Sequence, residues 1–111
     1  MRPLACALVL AGCMERPLPI DEVPCPPTGT PHTYESFGQP FLATYCNSCH
    51  STSRHGAPAA FRFDTIEDIR VHADRIFVRA AGPNTTMPVG PVDPPADERD
   101  QLAEWLACGA P

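Results

Sequence analysis

The sequence predicts a small all-α domain built on three main helices. Three stretches carry apolar residues at helical spacing, and capping or helix-stopping residues stand at their ends. No stretch alternates apolar and polar residues convincingly as a half-buried strand does. The chain has 111 residues, which suits one small domain. Its fifteen prolines are far above average use and predict long irregular segments around the helices.

The first predicted helix runs from about Tyr34 to Asn47. Its apolar residues recur at i, i+4, i+5 and i+8, namely Phe37, Phe41, Leu42 and Tyr45. Pro40 lies inside this pattern, and a helix tolerates proline only near its first turn. The helix is therefore allowed to begin later than Tyr34.

The second predicted helix runs from about Asp64 to Ala81. Asp64 is a candidate N-cap, with Glu67 three residues later as its capping-box partner. One apolar stripe follows at helical spacing: Ile66, Ile69, Ala73, Ile76, Phe77 and Ala80. Gly82 and Pro83 then end the helix.

The third predicted helix runs from about Pro95 to Cys108. Acidic residues suit its first turn, and Gly109 is a natural stop. Its inner face consists of Leu102, Trp105 and Leu106. Three short helices carry few apolar side chains for a firm core, so a large flat apolar cofactor would supply what is missing.

The N-terminal thirteen residues resemble a bacterial lipoprotein signal. One arginine precedes a short apolar run that ends in Leu-Ala-Gly-Cys13. The resemblance implies a signal peptide over 1–12, acylation of Cys13 and an anchor on the periplasmic side of a bacterial membrane. Residues 13–33 then form a proline-rich tether that could reach roughly 60 Å when extended, and 34–111 form the domain.

The six cysteines are assigned one by one. Cys6 leaves with the signal, and Cys13 takes the lipid. Cys46 and Cys49 share a motif. Cys25 and Cys108 remain, and in an oxidising compartment we expect them to form a disulfide.

The motif Cys46-Asn-Ser-Cys49-His50 allows a redox dithiol, half of a zinc site or covalent haem attachment. A zinc site needs about four ligands, and no second pair of matching spacing exists. A redox dithiol normally follows a strand, whereas this pair ends a helix. Two thiols three positions apart lie on one side of a helical turn and can bond one edge of a porphyrin. The motif therefore favours covalent haem, with His50 as the proximal iron ligand.

Met87 is the candidate second axial ligand. The chain has three methionines, and the other two lie in the signal and the tether. A thioether suits low-spin haem iron. His72 is the rival because it lies on the apolar stripe of the second helix. His55 and His32 are expected on a loop and in the tether.

Residues 34 to 109 resemble a class I cytochrome c domain. The haem motif, the Thr86-Met87-Pro88 loop, and a helix crossing of Gly38 and Leu42 against the last helix occur in the family's order. The resemblance implies a one-electron carrier, not an enzyme, with one covalent haem c. It would be a monomer that docks transiently with redox proteins.

Charge and composition bear on the partners. The net charge is −5 and all eight basic residues are arginine, so nucleic acid is an unsuitable partner. The lysine-rich docking face of mitochondrial relatives is absent. Arg62, Arg70, Arg75 and Arg79 are expected to pair with Asp68 and Asp74 rather than to form a positive face.

Two other classes of function stay open. One is a haem subunit or sensor of a peroxidase, oxidase or dehydrogenase system, in which Met87 leaves to admit a ligand. The other is a haem-free, disulfide-bonded lipoprotein.

Overall fold

The computed structural model describes residues 15–54 and 56–111. The predicted signal peptide, the acylated Cys13 and His55 therefore lie outside the described residues. In the described part the fold is all-α, with helices and no strand, which confirms the predicted fold class at this level. None of these helices combines the length and the hydropathy that a membrane span requires.

The first helical segment begins with a capping box. Thr33 accepts a hydrogen bond from the backbone N–H of Ser36, and the Ser36 hydroxyl accepts one from the N–H of Thr33. A π-helical turn over Tyr34–Gly38 leads into helix α1, Gln39–Tyr45. Pro40 occupies the first turn of α1, where its missing N–H costs nothing. The later α-helical start that proline allowed is therefore observed.

The second predicted helix is two helices, α2 over Ile66–Val71 and α3 over Ala73–Ala80. His72 separates them with non-helical dihedrals, φ −103° and ψ 12°. The predicted cap is wrong by one residue. Thr65 caps α2 in a capping box with Asp68, while the carboxylate of Asp64 accepts hydrogen bonds from the backbone and hydroxyl of Thr52.

Helix α4 spans Ala96–Ala107 and supplies much of the core. Leu102, Trp105 and Leu106 are buried, as predicted for its inner face. Gly109 follows in the left-handed region at φ 88°, where glycine is favoured. Its N–H donates to the carbonyl of Leu106 and ends the helix. The buried hydrophobic residues of the described chain are Phe41, Leu42, Phe63, Ile69, Ile76, Phe77, Ala80, Ala81, Leu102, Ala103, Trp105, Leu106 and Ala110.

The segment from residue 15 to residue 25, here called the N-terminal arm, lies on this core. Leu18, Ile20 and Val23 pack against it. The backbone N–H and carbonyl of Leu18 both hydrogen-bond the side chain of Asn84, at 2.9 and 2.8 Å. The sequence predicted an extended tether here, because no apolar periodicity runs through it. The arm is held instead by long-range contacts that local spacing does not report.

The predicted disulfide between Cys25 and Cys108 is confirmed, and it joins the end of the arm to the end of α4. It closes a loop with a sequence separation of 83 residues. Closing so long a loop removes chain entropy from the unfolded state, by about 4–5 kcal/mol in the chain-entropy model.

Replacing both disulfide cysteines by serine is expected to lower the free energy of unfolding by about 2–5 kcal/mol. Denaturant unfolding of the double variant beside the wild type measures the loss. Treating the wild type with a reductant should reproduce it. An unaltered midpoint in both experiments would show that this bond contributes nothing to stability.

Candidate functional site

The motif from Cys46 to His50 forms a tight turn at the end of α1. Cys46 caps the helix, with its N–H donating to the carbonyl of Leu42. The N–H groups of Cys49 and His50 both donate to the carbonyl of Cys46, at 3.1 and 3.0 Å. The carbonyl of Cys46 thus holds the motif as a closed turn, and this turn fixes the backbone position from which the His50 side chain projects.

The imidazole of His50 is held by two neighbours. Its Nδ1 lies 2.6 Å from the carbonyl oxygen of Phe61, and its ring stacks on that of Phe63 with centroids 4.5 Å apart. A carbonyl oxygen can only accept, so Nδ1 carries the proton in this contact. The Nε2 lone pair is then free for a metal, and the hydrogen bond to Phe61 orients the ring.

The loop after the motif is tied back to it. The N–H of Phe63 donates to the carbonyl of His50 at 2.8 Å. Asp64 accepts from the backbone and hydroxyl of Thr52, and these hydrogen bonds hold the pKa of its carboxyl below the ordinary value. Both contacts keep the Phe61 carbonyl close to the imidazole. The same hydrogen bonds to Asp64 weaken when acid protonates its carboxylate.

His50 lies at the wall of a cavity of about 300 Å³. This volume is at the lower end of the range for small-molecule and cofactor pockets. The lining is mainly apolar and comes from the motif, the loop after it, α3 and the loop after α3: Tyr45, Cys46, His50, Pro58, Phe61, Phe63, Arg75, Ile76, Arg79, Ala80, Met87 and Pro88. Three predicted site residues, Cys46, His50 and Met87, therefore meet at one cavity.

Met87 reaches the cavity from the loop between α3 and α4. Its N–H donates to the carbonyl of Arg79 at 2.8 Å, which ties the loop to the end of α3. Its own carbonyl accepts from the guanidinium of Arg99 at 2.8 Å. Met87 is 36% exposed, more than a methionine that fills a core gap would be.

The other sequence candidates lie outside the cavity wall. Cys49 is exposed and does not line the cavity, although Cys46 and His50 of the same motif do. His72 does not line it either; its ring packs against the rings of Phe61 and Phe63. His32 packs against Phe37 near the start of the first helical segment.

Two arginines line the cavity, a position that was not predicted from the sequence. Arg75 and Arg79 stand one turn apart on α3, and the guanidinium of Arg75 lies 5.7 Å from the centre of the Phe61 ring. Pairing with Asp68 and Asp74 was expected. Within residues 15–54 and 56–111, however, the structure contains a single ion pair, between Arg16 and Glu22. The sequence signal for this position was that Arg75 and Arg79 stand next to Ile76 and Ala80, which face the core.

The motif thiols are unpaired with each other in this structure. Burial raises the pKa of the Cys46 thiol to about 12, and the field of Arg99 opposes this only partly. A reactive dithiol needs the opposite shift, because the thiolate is the attacking species. The environment of Cys46 is thus that of a packed sulfur.

Searches for similar proteins gave no family model, no curated protein and no solved structure that matches the chain. Within the described residues, no group of three or more His, Cys, Asp or Glu side chains gathers where it could hold a metal ion.

Proposed function

We propose that this protein is a one-electron carrier with one covalently attached c-type haem, as its resemblance to class I cytochromes c implies. The supporting observation is that Cys46 and His50 of the motif and Met87 of a distant loop line a single apolar cavity. Imidazole and thioether are a ligand pair that suits low-spin haem iron. The cavity chemistry fits the group, since its walls are mainly hydrophobic and a free imidazole nitrogen is available.

Each residue has a defined part in the proposal. Cys46 and Cys49 would hold the haem through thioether bonds, which requires the exposed Cys49 side chain to turn toward the cavity. His50 would bind the iron through Nε2, with Nδ1–H directed to Phe61. Met87 would be the second iron ligand. The haem would supply a one-electron couple, and with both residues bound to its iron no position would remain for a substrate.

Arg75 and Arg79 are proposed to neutralise the haem carboxylates. Both line the cavity, and neither is in an ion pair within the described part of the chain. Two cations beside an apolar pocket suit a ligand that is apolar in its body and anionic at its edge.

The proposed location is the periplasmic side of a bacterial membrane, through a lipid on Cys13. Glu15 and Arg16 share a groove with Thr85 and Thr86, so the described chain starts beside the Met87 loop. From Cys13 to Glu15 the chain advances two residues, which span at most about 7 Å. This is far less than the roughly 60 Å that a free tether of residues 13–33 could reach. The lipid would hold the Met87 loop near the membrane surface and so favour redox partners at that surface. Docking with these partners would be transient. Nucleic acid is not a proposed partner.

The test is the absorption spectrum of the protein exported by cells that have haem-attachment machinery. The expected result is the sharp reduced spectrum of a low-spin haem that acid-acetone does not extract. A folded protein without haem absorbance would overturn the proposal.

Replacing Met87 with alanine tests the distal ligand separately. The variant should keep its covalent haem but lose the near-infrared band that Met-ligated ferric haem shows. Its reduction potential should fall, because methionine ligation raises it. Val89→Ala is the matched control, since Val89 is an exposed residue of the same loop and does not line the cavity. A retained band in Met87→Ala would assign the sixth position to another residue.

The exposure of Met87 favours a second candidate, a haem sensor or enzyme subunit with a displaceable ligand. Carbon monoxide distinguishes the two functions. An electron carrier with a retained methionine binds it slowly after reduction, whereas a protein whose Met87 departs readily binds it within mixing time.

A further inference from the structure

Arg99 is a buried cation on α4 with only 5% of its surface exposed. Its Nη1 lies within hydrogen-bonding distance of three backbone carbonyls, which share its two hydrogens: those of Ala80 at 2.9 Å, Asn84 at 3.1 Å and Met87 at 2.8 Å. One side-chain atom therefore joins the end of α3 to two points of the loop that carries Met87.

Carbonyl dipoles, and no carboxylate, surround this charge in the described structure. The single ion pair of the described residues joins Arg16 and Glu22. Both side chains are exposed, and both are far from Arg99 in sequence. Burying a charge is costly unless hydrogen bonds compensate it, and the carbonyls of Ala80, Asn84 and Met87 supply that compensation here.

Asn84 extends the contacts to the N-terminal arm. Its side-chain amide donates to the carbonyls of Leu18 and Phe77, and its oxygen accepts from the N–H of Leu18. The loop from Asn84 to Met87 is consequently held from two sides, by the arm and by α4. Asn84 is buried, so water does not readily replace these bonds.

We propose that Arg99 is a positioning residue for Met87, and that its buried charge raises the reduction potential of the site. This inference rests on the proposed haem function. The three carbonyl contacts hold Met87 at the cavity, and a nearby cation disfavours the more positive ferric state. Substituting Arg99 should then change both the order of the loop and the potential.

Hydrogen exchange tests the positioning role without needing haem. In full-length Arg99→Met and Arg99→Lys, amides over residues 84–87 should exchange at least tenfold faster than in the wild type, while those of α4 keep their protection. Lysine keeps the charge, but its side chain is one bond shorter than the path to Nη1, so its ammonium is not expected to reach all three carbonyls. Arg70→Met is the matched control, because among the residues that the structure describes the Arg70 side chain donates only to the carbonyl of Ala110. Unaltered exchange over 84–87 in a folded variant would overturn the positioning role.

The potential tests the electrostatic role on the haem-loaded protein. It should fall in Arg99→Met, stay near the wild-type value in Arg99→Lys and not change in Arg70→Met. An equal fall in the methionine and lysine variants would overturn the role of the charge. If Arg99→Met does not fold, Arg99→Lys must still combine faster exchange with a retained potential. A wild type without haem would refute the proposed function and with it the electrostatic role, while the exchange result still decides the positioning role.

Discussion

Replacing Cys46 and Cys49 together by serine is expected to abolish haem binding and to cost the fold most of its cooperativity. The thioethers are the covalent attachment in the proposal, and serine cannot form them. Without the cofactor, a cavity of about 300 Å³ remains beside Phe63, Ile76 and Ala80. At about 24 cal/mol per Å³ this corresponds to roughly 7 kcal/mol, an upper limit because such a cavity can collapse or fill with water.

Absorbance, circular dichroism and thermal unfolding of the exported variant measure the two effects. We expect no haem absorbance, retained helix and a broad melting transition, as in a loosely packed state. The variant without the Cys25–Cys108 disulfide is the matched control, because it also lacks two cysteines but should keep its haem. A double serine variant that melts as sharply as the wild type and at the same temperature would favour the haem-free lipoprotein class instead.

The helices could be predicted where their end signals are local. Gly109 stops α4 in the left-handed region, and Pro40 stands in the first turn of α1. The start of α2 could not be decided locally. Asp64 and Thr65 are both good N-caps, and each has an acidic residue three positions later. Thr52, twelve residues from Asp64, binds that carboxylate and leaves the cap to Thr65.

The residues of the candidate site could be predicted where their types are rare in this chain. Cys46, His50 and Met87 stand out from the sequence and do line one cavity. Arg99 did not stand out, because it follows Asp97 and Glu98 and is typical of an exposed helix face. Its burial depends on a loop about fifteen residues away, and the contact between Leu18 and Asn84 spans 66 residues. Such contacts depend on tertiary packing, which spacing alone does not report.

Gly38→Ala is expected to destabilise the protein strongly, although helix propensity favours the opposite result. Gly38 has φ −60° and ψ −53°, so alanine fits its backbone and would gain about 1 kcal/mol in an exposed helix. A Cβ at this position, however, would lie 2.4 Å from both Cη2 and Cζ2 of Trp105. Trp105 is fully buried, and its indole N–H donates to the carbonyl of Pro111 at 3.2 Å. The ring cannot retreat without losing that bond.

Denaturant unfolding should show a loss of about 3 kcal/mol or more for Gly38→Ala, the upper part of the range for overpacked cores. Gly29→Ala is the control, since a Cβ there meets nothing within 4 Å. Its only expected cost is the backbone strain of alanine at a positive φ. Trp105→Phe removes the atoms that clash. The loss of unfolding free energy in the double variant with Gly38→Ala should therefore be smaller than the sum of the losses in the two single variants. Additive losses, or a Gly38→Ala protein as stable as the wild type, would contradict the close contact. Because this contact sets how α4 lies on the segment that ends at Cys46, haem content should fall together with stability in Gly38→Ala and recover with it in the double variant.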